Sequence, residues 1–264
     1  MKRLIQACFL LAAATLFTGC QEKFTDHPRA LMAVGLIVLI SALFLALAVY
    51  SNILRDEVSD CDAFDQNAQK LQQKQKYKLV DKSYPFSLSK VQFGLWTVLI
   101  SSCYIYLSLC KGDCAETTIN KTALVLMGIF AGTAAASTLI DKKEISDNRP
   151  RHQNAPSEGF FIDILSDDNG ISLHRFQSLV WTLIAMVVYI YKVSGVQAGC
   201  LLPELSDTLL ALTGISSATY LVLRTKENDP PIEAAQQDTA NAPAADASPS
   251  STTATDPVIT PQPA

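Results

Sequence analysis

Five apolar runs dominate this chain, at about Leu31–Tyr50, Val91–Leu109, Thr122–Ile140, Phe176–Val193 and Leu205–Leu223. Crossing a bilayer takes roughly 20 apolar residues in one helix. No run carries a charged residue near its middle; Lys192 and Asp207 sit at run ends. A soluble core helix seldom stays uncharged over such a length. Hydrophobic residues make up 49% of the 264, and the charges fall between the runs. The expected fold class is therefore all-α transmembrane with five spans, and the lipid bilayer is the first expected partner.

Ahead of these runs stands MKRLIQACFLLAAATLFTGC. It has a basic start at Lys2 and Arg3, a short apolar stretch Leu4–Phe17, and the small residues Thr18 and Gly19 before Cys20. This is the pattern of a secretory signal. It resembles a bacterial lipoprotein signal, in which the cysteine becomes the lipidated N-terminus, so Cys20 is the lipidation candidate. Phe17 departs from the aliphatic residue usual there. An uncleaved first helix and an ordinary cleaved signal are the alternatives. Gln21 rather than Asp follows the cysteine.

Basic residues in short loops mark the cytoplasmic side. Loop 51–90 holds seven Lys and Arg, loop 141–175 five, loop 110–121 two and loop 194–204 none, while Arg224 and Lys226 follow the last run. The expected topology puts the mature N-terminus outside and the C-terminus inside, in a bacterial inner membrane. The chain then divides into a signal segment 1–20, an outer-face start and first span 21–50, a polar cytoplasmic linker 51–85, a hairpin 86–141, a cytoplasmic loop 142–170, a second hairpin 171–226, and a tail 227–264. That tail is rich in Pro, Ala, Thr and Ser and is expected to be disordered.

The two hairpins are related. SLSKVQFGLWT from Ser87 returns as SLHRFQSLVWT from Ser172, 85 positions on. Gly128-Ile129 and Gly214-Ile215 lie 86 apart, as do Cys114 and Cys200. Matching Ser, Gln, Trp and Thr in order is not what apolar drift produces. The expectation is a two-helix hairpin present twice, both copies starting on the cytoplasmic side, hence parallel repeats with pseudo-twofold symmetry. Inverted repeats, common in alternating-access carriers, would run oppositely.

Within the phrase, Gln92 and Trp96 share a helix face, as do Gln177 and Trp181; Thr97 and Thr182 follow. A glutamine one turn inside the membrane needs a partner, because lipid offers none. Two readings stand: these residues clamp helices together, or they line a pore. Ser87 and Ser172 are candidate N-caps, and Lys90 and Arg175 are expected at headgroup level. Gly128, Gly132 and Ala136, and Gly214 and Ala218, have the small-residue spacing that lets helices approach closely.

The segment GFFIDILSDDNGISLHRFQSLVWT, Gly159–Thr182, followed by LLALTGISSATYL, Leu209–Leu221, resembles an uncharacterised family of bacterial multi-pass membrane proteins. The resemblance covers the second hairpin well and the first more loosely. It implies membrane architecture and supplies no catalytic residues.

Chemistry is sparse in the sequence. His27, His152 and His174 are scattered without metal-ligand spacing. No phosphate loop or nucleophile elbow is present. SDDNG at Ser166–Gly170 lacks the first and last ligands of a calcium loop and reads as a turn. Phe160–Leu165 is apolar enough to lie along the inner membrane surface or to pack under the helices. Charge-free span centres argue against proton-coupled carriers. Cys114 and Cys200 occupy equivalent outer loops, where a disulfide persists; Cys110–Cys114 and free thiols are the alternatives. No cofactor, metal or nucleic acid is expected. The expected role is a non-enzymatic assembly or scaffold component, with itself or another membrane protein as partner, and a pore component or small-solute carrier as the alternatives.

Overall fold

A computed structural model describes residues 28–74, 82–110, 119–196 and 201–228. All lie in one compact unit ending at Asp229. The signal segment with Cys20, the loop residues Cys114 and Cys200, and the tail beyond Asn228 are outside the described residues. The elements are α1 (Pro28–Tyr50), α2 (Cys61–Lys74), α3 (Leu88–Cys110), α4 (Lys121–Ser146), α5 (Phe160–Leu165), β1 (Ser166–Asp167), β2 (Gly170–Ile171), α6 (Leu173–Ser194) and α7 (Asp207–Arg224).

Four of these helices, α1, α3, α4 and α6, are long and apolar enough to cross a membrane. They coincide with the first four apolar runs. The fifth run forms α7, which is 18 residues long with Asp207 in its first turn and Arg224 in its last. At about 1.5 Å per residue it measures roughly 27 Å.

Helical periodicity builds the core. On α3, Trp96, Ile100, Cys103 and Leu107 recur at four- and three-residue steps and are buried. They meet Ala123, Leu126 and Phe130 of α4 and Ala185, Tyr189 and Val193 of α6. Trp96 stacks on Phe130 at 5.5 Å and meets Tyr189 edge-on at 6.0 Å. α3 packs against α1, α4 and α6, α6 packs against α7, and α4 also packs against α7.

Close approach occurs elsewhere than the small-residue spacing implied. A Cβ on Gly128 or Gly132 would meet nothing within 4 Å, and Ala218 is exposed. These residues lie on outward faces. Gly214 is in ordinary contact with Ile129. The glycine that packing requires is Gly94, where a Cβ would come within 2.7 Å of the Phe44 ring of α1.

The helix ends are capped by side chains. Asn120 accepts from the Ala123 amide and Ser206 from the Leu209 amide. Asn120 also donates to the Leu202 and Pro203 carbonyls at 2.7 and 3.1 Å. It thereby joins described parts of the two loops in which Cys114 and Cys200 lie. Ser172 stands at the N-cap of α6, but its side chain makes no capping bond; its hydroxyl pairs with His174 Nδ1 at 2.6 Å instead.

At the opposite end, SDDNG forms the turn of a two-stranded hairpin, pairing Ser166 with Ile171 and Asp167 with Gly170. Gly159 and Gly170 have φ of 139° and 109°, a region side chains disfavour. Asp163 of α5 accepts from Ser157 Oγ at 2.6 Å and from the amides of Phe86, Glu158 and Gly159. This fastens the 157–163 segment to the start of α3. Burial nevertheless pushes the Asp163 carboxyl above its ordinary range.

Candidate functional site

Two polar constellations stand out, one within the bundle and one at its base. The first is the glutamine of the first phrase. Gln92 is fully buried, and its Nε2 donates to Ser178 O at 3.2 Å, Ser178 Oγ at 3.1 Å and Thr182 Oγ1 at 2.8 Å. Thr182 in turn donates to the Ser178 carbonyl at 2.9 Å. Three neighbouring acceptors on α6 thus hold one amide of α3. Gln177, the counterpart of Gln92, is exposed. Thr97 is exposed too and bonds back to Phe93 O within its own helix. Trp96 is completely buried, whereas Trp181 is half-buried. A strict two-fold would pair Gln177 with Thr97 as Gln92 pairs with Thr182. The two phrases are used differently.

The second constellation was not recognised as a site in the sequence. At the base of the bundle, six charged side chains alternate in sign: Glu144, Arg151, Asp141, Arg224, Glu227 and Arg175. Each is 5% exposed or less. Arg151 donates through Nε to Glu144 at 3.0 Å and through a terminal nitrogen to Asp141 at 2.6 Å. Arg224 bridges Asp141 and Glu227, both at 2.5 Å. Arg175 grips Glu227 with two bonds, of 3.1 and 2.5 Å. Arg151 also donates to the Glu57 carbonyl at 2.8 Å, and Asn228 to Glu144 at 3.1 Å. The cluster joins the end of α4, the 149–154 loop, the start of α6 and the end of α7. A further buried carboxylate, Asp56, lies close enough to act on Asp141 and Arg224.

Two expectations change here. Arg175 is turned inward into an ion pair rather than out toward lipid headgroups, because Glu227 matches its planar fork. Lys90, its counterpart, donates instead to the Arg55 carbonyl at 2.7 Å. The tail boundary also moves: Glu227 and Asn228 belong to the folded unit, since both are buried in the cluster.

Electrostatics follow from this packing. Burial alone would raise Glu227, but the Arg175 and Arg224 guanidiniums outweigh it and hold the carboxyl below its ordinary value. His152 goes the other way. Burial lowers its pKa below 6.5 and prevails over its bond to Asn228 Oδ1 at 2.9 Å.

A metal-ligand triad also assembles. Oxygens of Asp167 and Glu227 and a ring nitrogen of His174 lie within 4.8 Å of one another. They come from β1, α6 and the segment after α7, so no local spacing could reveal them. Both Glu227 oxygens already accept from arginines, and a cation would compete with those guanidiniums. His174 Nε2 lies 3.4 Å from Glu227 Oε1. A cleft of about 660 Å³ opens between the start of α2 and the 145–154 loop. Asp60, Asp62, Arg149 and Arg151 line it with both signs of charge, which selects no single ligand class.

No protein-family model, curated protein or solved structure matches the chain.

Proposed function

We propose that this chain is a non-enzymatic integral membrane protein that acts as an assembly or scaffold component. In this reading α7 is a fifth span, α3–α4 and α6–α7 are parallel repeats, and the charged base faces the cytoplasm of a bacterial inner membrane. The observation that carries the proposal is how the polar groups of the bundle are disposed. Gln92 is held by α6 and the centre is filled by Trp96, Phe130, Leu126, Leu107 and Tyr189, which supports a packed strut over a conduit. Meanwhile Gln177 and Gly132 are turned outward. In lipid, an outward glutamine and an outward small-residue stripe both favour another helix as neighbour. The partner is then a second copy or another membrane protein.

A second reading has one observation in its favour. Exposed Thr97 and Gln177 could line a passage between copies in a ring.

Native mass spectrometry of the gently extracted complex, paired with flux assays in liposomes, separates the two. The scaffold reading expects a fixed-stoichiometry complex that Gln177→Leu with Gly132→Ile disperses, and liposomes that stay tight. A monomer, or ion flux that Gln177→Leu abolishes, would overturn it.

A further inference from the structure

The base of the bundle carries an apolar surface that the ionic cluster does not explain. Phe161 and Ile162 of α5, Ile171 of β2, and Leu173 and Phe176 in the first turn of α6 are between 47% and 80% exposed. They are separate in sequence and gathered by the fold. Ser172 N bonds to Leu165 O at 2.8 Å, Ser166 pairs with Ile171, and α5 packs against α6. The inner side of α5 is anchored: Ile164 is fully buried, and Phe160 meets Phe86 edge-on at 5.2 Å. What remains outward is apolar and rigidly mounted.

Its level is set by α6. This helix is long and apolar enough to span and begins at Leu173, so in the spanning arrangement proposed above Leu173 and Phe176 lie where the bilayer begins. Phe161, Ile162 and Ile171 sit beside that turn. Lys142, Lys143 and Lys226, at the same end of the bundle, are exposed and suit an anionic leaflet surface. Asp168 and Asn169 at the hairpin tip are also exposed and suit water.

We propose that α5 and the β1–β2 hairpin form a seat embedded in the headgroup–acyl boundary of the bilayer, with lipid as the occupant of the apolar surface. Apolar side chains commonly enter this zone by about 5–10 Å. The seat rests on the spanning arrangement proposed above.

The test places a small fluorescent non-natural residue, one at a time, at Phe161, Ile171, Asp168 and Val187 of the full chain. The protein is reconstituted in phosphatidylethanolamine–phosphatidylglycerol vesicles. Quenching by aqueous iodide is compared with quenching by lipids bearing a nitroxide near the headgroup or near the acyl terminus. At Phe161 and Ile171 the headgroup nitroxide should out-quench iodide by about twofold or more, with the reverse at Asp168. Iodide quenching at 161 and 171 equal to that at 168 would overturn the seat. So would shielding from both quenchers, which would mean that protein covers the surface. Val187, 66% exposed on α6, should respond to the deep nitroxide. Its failure to do so would overturn the spanning arrangement and the seat together, whereas failure at 161 and 171 alone leaves the spans intact.

Discussion

In the first copy of the phrase, Gln92 and Trp96 lie at the centre of the bundle; in the second, Gln177 faces outward and Trp181 is half-buried. The difference comes from neighbours, not from the phrase. α1 lies along α3 and seats Phe44 in the space left by Gly94, and α3 also meets α4, α5 and α6. Leu179 stands where Gly94 would be on α6, and α6 packs mainly against α7, less against α3 and least against α5. One added helix has made one copy central and the other peripheral. The matched polar residues of the two phrases therefore stand in different surroundings.

This contrast can be broken at several points, and the largest effect belongs to the charges. Arg175→Met leaves Glu227 buried with Arg224 as its one remaining guanidinium partner and should cost about 3–5 kcal/mol. Lys90→Met, which removes a partly exposed bond to a carbonyl, should cost about 1 kcal/mol. Thermal unfolding of the two variants in nanodiscs measures the gap, and equal losses would deny that Arg175 is the more deeply committed of the pair. Gly94→Ala comes next. Its methyl meets the Phe44 ring, so overpacking of about 1–3 kcal/mol is expected, and Gly94→Ala/Phe44→Leu should recover much of it.

Smaller again is the glutamine. Gln92→Leu should lose about 0.5–1.5 kcal/mol, because Thr182 keeps its bond to the Ser178 carbonyl. Gln177→Leu should leave monomer stability unchanged and act on assembly alone, read by native mass spectrometry. The last prediction concerns pH. The fold holds His152 with a pKa below 6.5, so below 6.5 the unfolded chain binds the proton more readily. The His152 contribution is therefore full above that value and falls as pH drops toward the folded pKa, opposite in sign to that of Asp163, whose raised carboxyl takes up its proton more readily in the fold. His152→Gln should flatten that part of the profile. Glu227, held low, adds a further loss as pH falls through and below its ordinary value of 4.5.

The helices were legible because a spanning helix announces itself by length and by the absence of charge. The run Leu31–Tyr50 is α1 to within three residues, and Thr122–Ile140 lies inside α4. The ionic cluster was not legible as a site, since its ion pairs join segments as much as 83 residues apart and charges at helix ends read as solvated. A faint signal existed. Asp141 and Glu227 are 86 positions apart, and Lys90 and Arg175 are 85 apart. Those are the offsets that separate the two phrases and the two Gly-Ile pairs, so a carboxylate closes each stretch and a cation opens it. The outward direction of Gly128 and Gly132 was beyond reach, because spacing alone does not say which face of a helix meets its neighbour.

The bridge from Asp141 to Arg224 also has a consequence for biogenesis. A ribosome releases Asp141 well before Arg224, 83 residues later, and Arg175 likewise precedes Glu227 by 52. During that interval Asp141 has Arg151 as a partner but lacks Arg224, and Arg175 lacks Glu227. The nascent chain thus carries its own maturity mark: charged groups whose pairing is completed only by the last turn of α7 and the residues just after it. A chain halted before Arg224 is expected to reach the membrane with that mark uncovered and to be cleared faster than the full-length protein in a pulse-chase experiment.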